Sequence, residues 1–173
     1  IISSPTEIIK GEIPKINIIA EDINYKDLLF DKLDLKANQL KINFKLINKE
    51  LYFKNNPIIK LKISLSHDSL RTILLSNSWN CIENMISKEI LNKEKLIDLS
   101  ISNGQLLMKA SQKNITINQV YQINMKAEKG KVYLGNKTYN KTMKIPLEEK
   151  IYVENLNIEE DLINIYANSS ISF

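Results

Sequence analysis

Cysteine is nearly absent from this sequence. Cys81 is the only one among 173 residues, so neither an intrachain disulfide nor a thiolate metal cluster can form. Histidine is as scarce: His67 stands alone, which removes most zinc sites and any catalytic pair of imidazoles. Four glycines and four prolines exclude collagen-like and Pro/Gly-rich disordered classes. They also leave little from which to build a glycine-rich phosphate loop. Arginine occurs once, as Arg71. Nucleic-acid surfaces rely on Arg clusters for bidentate contacts to phosphates and bases, and no such cluster exists here, so no nucleic-acid partner is expected. No apolar run reaches the roughly 18–20 residues of a membrane-spanning helix. The sequence begins at Ile1, so the absence of a signal peptide leaves open whether the chain is cytoplasmic or belongs to the envelope.

Isoleucine (29), lysine (23) and asparagine (21) dominate instead, as expected of coding sequence rich in A and T. The formal net charge of +4 comes from 24 basic and 20 acidic residues spread along the whole chain. Apolar residues make up 43% and charged residues 25%, ordinary values for a folded soluble protein. The length suits one domain, 1–173, and a domain near that size buries roughly 70% of its unfolded surface without staples.

Period-2 alternation is the dominant pattern. Ile42, Phe44 and Leu46 alternate with Lys41, Asn43 and Lys45, and Ile59, Leu61, Ile63 and Leu65 alternate with Lys60, Lys62 and Ser64. Similar runs recur from Ile97 to the C-terminus. Each is the mark of a half-buried strand, and β-branched residues favour such pleated surfaces. Turn signals separate the runs: Asn55-Asn56-Pro57, Asn103-Gly104, Lys129-Gly130 and Gly135-Asn136. Asn-Gly is the strongest short hairpin signal.

One stretch departs from alternation. Leu70, Ile73, Leu74, Trp79, Ile82, Met85, Ile86 and Ile90 fall at helical spacing and predict one apolar helix face. Ser66 or Asp68 can cap its start. Ser76-Asn77-Ser78 is a weak helix former that can kink or split it. The pattern predicts an α+β domain: a large, curved antiparallel sheet packed on one long or kinked amphipathic helix over about residues 68–93. Four strands precede the helical segment and about six follow.

Chemistry-bearing constellations are few. His67 beside Asp68 has the residue types of a general base and its orienting carboxylate, but sequence neighbours do not face each other and no nucleophile accompanies them. A polar helix N-terminus is the expected role. Cys81 reads as a small buried hydrophobe within the helix. The acidic runs Glu21-Asp22, Glu148-Glu149 and Glu159-Glu160-Asp161 supply the residue types for glycoside hydrolysis or Mg²⁺ binding, yet each is expected in a solvated turn. Acceptor sequons at Asn114, Asn136, Asn140 and Asn168 are frequent by chance in a chain so rich in Asn. Tyr52-Phe53-Lys54 offers stacking residues beside a base and is equally a strand edge. No catalytic residue, metal site or cofactor is expected, and the chain is read as a non-enzyme.

Pro57-Ile-Ile-Lys-Leu-Lys-Ile-Ser-Leu-Ser-His-Asp-Ser-Leu70, continuing to Trp79, resembles the strand and helix start of the LmeA-like phospholipid-binding family. Lys144-Ile-Pro-Leu-Glu-Glu-Lys-Ile-Tyr-Val-Glu-Asn-Leu-Asn-Ile158 is similar to a segment of that family's cyanobacterial branch. Gly11–Ile16 and the run Leu33–Leu46 fit its opening strands. Ser69 and Arg71 stand where the motif often carries an acid and an Asn. The resemblance spans nearly the whole chain, short of an N-terminal segment. It implies phospholipid or other lipid as ligand, peripheral membrane contact, and a sheet curled around the helix as in tubular lipid-binding folds. It supplies no catalytic residues.

On this reading, acyl chains lie between the helix face (Leu74, Trp79, Ile82, Met85, Ile86) and inward strand residues (Phe44, Ile63, Leu65). Lys41, Lys45, Lys60 and Lys62 occupy the opposite strand face, either meeting anionic headgroups or simply solvated. The competing expectation is a scaffold or protein-interaction domain with a fully packed core and no ligand. Oligomeric state is open in both.

Overall fold

A computed structural model describes residues 4, 6–7, 10–25, 27–45, 50–111 and 118–170, with the side chains of Phe44, Lys45, Glu50 and Leu51 outside that description. Strands β1 (Glu12–Tyr25), β2 (Leu28–Lys45), β3 (Glu50–Phe53) and β4 (Ile58–Ser66) come first. Helix α1 (His67–Leu75), a 3-10 turn (Asn77–Trp79) and helix α2 (Asn80–Glu89) follow. The remaining strands are β5 (Lys95–Ser102), β6 (Gln105–Ser111), β7 (Asn118–Glu128), β8 (Lys131–Asn136), β9 (Lys141–Lys144), β10 (Ile151–Glu159) and β11 (Leu162–Ser170).

The strands form two antiparallel sheets, not the one large sheet expected. The larger runs β1-β2-β4-β11-β10, with β3 also paired to β2, and the smaller is the meander β5-β6-β7-β8-β9. Among the described residues the architecture is mostly antiparallel β with two short helices between β4 and β5, an α+β arrangement. Sequence alternation marks most of the strands but is silent on partners. The C-terminal hairpin returns to pair with β4, Ile163 opposite Leu65 and Ala167 opposite Leu61, and so completes the larger sheet from both ends of the chain.

A single long helix over 68–93 is likewise not what forms. Ser66 caps α1, its hydroxyl accepting from the Ser69 N–H at 3.2 Å. The helix stops at Leu75 because Ser76 is extended (φ −77°, ψ 153°). Its hydroxyl donates to the Ile73 carbonyl at 2.8 Å and competes with the next helical N–H. Past α2, Asn92 and Lys93 both adopt positive φ, and the Lys93 N–H returns to the Ser87 carbonyl at 2.8 Å, a left-handed helix stop.

The turn signals fare unevenly. Asn103-Gly104 and Lys129-Gly130 join β5 to β6 and β7 to β8 with positive φ at all four residues. Gly135-Asn136, expected as a turn, lies inside β8. Asn55 repays its turn assignment in a second way. β2 leaves β4 after Ala37 and meets β3 only from Ile42. In that gap the Asn55 side chain accepts from the Lys41 N–H at 3.0 Å and donates to the Gln39 carbonyl at 2.8 Å. One amide thereby replaces a missing stretch of ladder.

The main core lies between the sheets. α1 packs against β2 and β4 on one side and β5 on the other. Ile73, Leu74, Ile86 and Ile90 there meet Leu96, Leu99 and Met108 from the smaller sheet and Leu65 and Ile163 from the larger. A second, smaller core gathers Val132, Val153 and Ala167 under Ile145 and Leu147.

Candidate functional site

Cross-strand register arranges the inner face of the larger sheet into apolar rows. One row reads Ile18, Leu35, Leu61, Ala167, Val153 across β1, β2, β4, β11 and β10. Its neighbours read Ala20, Leu33, Ile63, Ile165, Leu156 on one side and Ile16, Ala37, Ile59, Ser169, Ile151 on the other. Coverage of this face is uneven. In the central row Val153 and Ala167 are 2% and 4% exposed, Leu61 and Leu35 are half-buried, and Ile18 is 48% exposed. Ile16, Leu33, Leu35 and Ile59 are half-buried and belong to neither core. The β1–β2–β4 wing therefore presents apolar side chains that the helices do not cover.

The sequence-derived binding residues come together, but as core. Leu65, Leu74 and Ile86 are buried, and Ile63, Trp79, Ile82 and Met85 pack against them half-buried, all in the one main core. Their neighbours there are Leu96, Leu99, Leu106 and Met108 of the smaller sheet. Phe44 lies in β2 with its side chain outside the described residues. Ile63 is the position shared between the filled core and the open wing, because Leu33 and Ala20 continue its row. The wing residues Ile16, Ile18, Leu33 and Leu35 were the ones sequence reasoning left out. Their apolar character is plain in the sequence; that among the described residues they lie outside both cores is not.

The opposite face of this sheet is polar and largely self-neutralised. Lys32 pairs with Glu21 at 2.9 Å and Lys36 with Asp34 at 2.8 Å. The hydrogen bond and charge of Lys32 hold Glu21 below the usual carboxylate range, and Glu21 raises Lys32 in turn. Lys60 and Lys62 share that face, with the Lys62 ammonium 5.4 Å from the Tyr166 ring centre. Lys41 is exposed, and the Lys45 side chain lies outside the described residues.

Asp31 works structurally. Burial pushes its carboxyl up, but hydrogen bonds from the Ser66 N–H at 2.6 Å, from the Ser66 hydroxyl and from Ser69 outweigh that and hold it low. A buried polar cluster occupies the smaller sheet. Tyr121 donates to Glu94 at 2.9 Å, contacts Gln119, and stands 3.2 Å from the Tyr139 hydroxyl. Burial, followed by the neighbouring Tyr139 and Glu94, pushes the Tyr121 phenol far above its ordinary range.

The remaining candidates resolve one by one. His67 and Asp68 sit at the α1 N-terminus with Nε2 3.3 Å from Oδ1, both well exposed. Cys81 is exposed, not the buried hydrophobe expected, because it falls on the solvent side of α2. Glu21-Asp22 lies within β1, not in a turn, with Asp22 at φ 53°. Glu159-Glu160-Asp161 does form the β10–β11 turn. Tyr52 is on β3, accepting from the Asn43 side chain at 2.6 Å. Asn114 lies outside the described residues, and Asn136 is 1% exposed, which removes it as a glycosylation acceptor. Among the described residues, no three His, Cys, Asp or Glu side chains gather as a metal site. No helix of the described residues is long and apolar enough to cross a membrane.

Comparison with protein-family models, with curated proteins and with solved structures finds no match to this chain.

Proposed function

We propose that this chain is a non-enzymatic lipid-binding domain, and that acyl chains lie on the open β1–β2–β4 wing. The observation that carries the reading is the central apolar row, which runs from fully buried Val153 to half-exposed Ile18 without a polar interruption. Apolar surface left open beside a filled core gains free energy when a greasy ligand covers it, about 25 cal/mol per Å². Contiguous apolar patches of this kind mark ligand grooves and membrane contacts. The resemblance to a phospholipid-binding family points to the same ligand class. The placement moves away from the residues expected from the sequence: Leu65, Leu74, Ile86, Trp79, Ile82 and Met85 belong to the filled main core, and Ile63 alone joins that core to the wing.

Native mass spectrometry of the purified chain, followed by organic extraction, tests the reading. Adducts of lipid mass that disappear on denaturation are expected. In Ile18→Glu/Leu35→Glu, two charges enter one row at the wing and retention should fall at least tenfold, with the far-UV circular dichroism unchanged. Lipid retention undiminished in that folded variant would sink the placement.

The scaffold reading keeps one supporting observation: the helix face is already seated in a packed core. It predicts a clean apo mass that stays unchanged after incubation with liposomes.

A further inference from the structure

Four glycines are enough to ask what each is for. Gly11, Gly104 and Gly130 have positive φ, so the backbone calls for them. Gly135 does not. It is the penultimate residue of β8, paired on both sides, and a Cβ built there would meet nothing closer than the Thr142 hydroxyl at 3.8 Å. Glycine inside a strand weakens it and often marks a place where a ligand approaches the backbone.

The surroundings of Gly135 fit that use. Asn124 of β7 and Thr142 of β9 are its direct cross-strand partners. Together with Gly135, Lys126, Lys137, Asn140 and Lys141 they line a cleft of about 240 Å³. Among the described residues no carboxylate lines it. Lys126 spends one of its N–H groups on Glu128 at 2.6 Å. Among the described residues neither Lys137 nor Lys141 belongs to an ion pair. Lys141 is steadied by neutral groups, donating to the Asn92 side chain at 3.2 Å and standing 5.7 Å from the Tyr139 ring centre. The rim is also fixed from below: the buried Asn136 amide donates to the Ile90 carbonyl at 2.9 Å and accepts from the Thr138 N–H at 2.9 Å.

From this geometry we infer that the Gly135 cleft binds a phosphate-type oxyanion, carried either by a small soluble ester or by a lipid headgroup. The ammonium groups of Lys126, Lys137 and Lys141 supply charge-assisted donors, the Thr142 hydroxyl a neutral one, and the missing side chain at position 135 the room. The cleft belongs to the smaller sheet and the apolar wing to the larger, so this inference stands or falls separately from the lipid reading.

Amide shifts of the ¹⁵N-labelled full chain, titrated with inorganic phosphate and with sn-glycerol 3-phosphate against sodium chloride of equal ionic strength, test the soluble arm. Cosedimentation with vesicles of phosphatidylglycerol, with phosphatidylcholine vesicles as control, tests the lipid arm. Expected in the first are saturating shifts at Gly135, Lys137 and Thr142. Expected in both is a loss of roughly tenfold in Lys137→Gln/Lys141→Gln, as the removal of two surface charge contacts implies. Gly135→Leu should fill the cleft and block binding. Binding in the vesicle arm alone, sensitive to both variants, assigns the oxyanion to a headgroup. Shifts that chloride reproduces, binding in neither arm, or binding undiminished in both folded variants overturns the inference. Acyl retention at the wing is read by mass spectrometry on a different variant, so the two failures are distinguishable.

Discussion

Single residues carry more of this fold than their types suggest, and the glycines show it most directly. At Gly130 φ is +75° and a Cβ would lie 2.3 Å from the Tyr152 ring. Gly130→Ala should therefore cost more than the roughly 1–2 kcal/mol of a left-handed residue alone, measured by urea denaturation. Gly135→Thr should do the reverse. It replaces a strand glycine with a β-branched residue that has space, and stability should rise by up to about 1 kcal/mol. Asp31 is the residue to follow with pH. Its folded pKa is depressed, so its contribution is fully present above the unfolded value of about 4 and is lost as pH falls through the folded value. Asp31→Ala removes hydrogen bonds to a charged acceptor, worth about 2 kcal/mol in all. The stability gap to the wild type should be full at neutral pH and close below about pH 4, followed by thermal denaturation across a pH series.

Among elements, the helical segment is governed by two serines ten residues apart. Ser66 caps α1 and Ser76 ends it. Ser66→Ala should cost about 1 kcal/mol as a lost cap, read from the denaturation midpoint. Asp31 also accepts from the Ser66 hydroxyl that this substitution removes, so a Ser66→Ala/Asp31→Ala double variant should lose less than the two singles together. At the far end Ser78 donates to Asp27 at 2.6 Å and ties the 3-10 turn to the β1–β2 hairpin. These contacts fix where the helices end on the sheet, and hence where the apolar wing begins to be uncovered. The outer edge of β1 is itself broken up, by Pro14 and by the left-handed Asp22, as edge strands that avoid pairing with other chains often are. The wing thus offers its face more readily than its edge.

At the scale of the whole molecule, two kinds of apolar surface are expected to answer differently to mutation. Ile86, 1% exposed in the main core, should lose about 2–5 kcal/mol on replacement by Ala through lost burial and a cavity. Ile18, exposed on the wing, should change stability by less than about 1 kcal/mol on replacement by Ala, while weakening lipid retention. Guanidinium melts and lipid extraction on the same two variants separate the roles.

The sequence by itself determined most of the strands, the Asn103-Gly104 and Lys129-Gly130 hairpins, and the apolar helix face, since each rests on local periodicity or on local φ preference. The residues it nominated for a binding site, Leu65, Leu74 and Ile86 among them, lie in the main core, and the wing residues were not among them. It also held the reason for the helix break at Ser76, a local hydrogen-bonding choice. Only the tertiary structure decided that the strands divide into two sheets, that β11 returns to β4, and that Gly135 is a strand position. It alone decided which half of a uniformly alternating apolar face is covered. Alternation reports the side of a strand on which an apolar residue lies; what packs against that side depends on pairings between residues as distant as Leu65 and Ile163, and those are set by the assembled core.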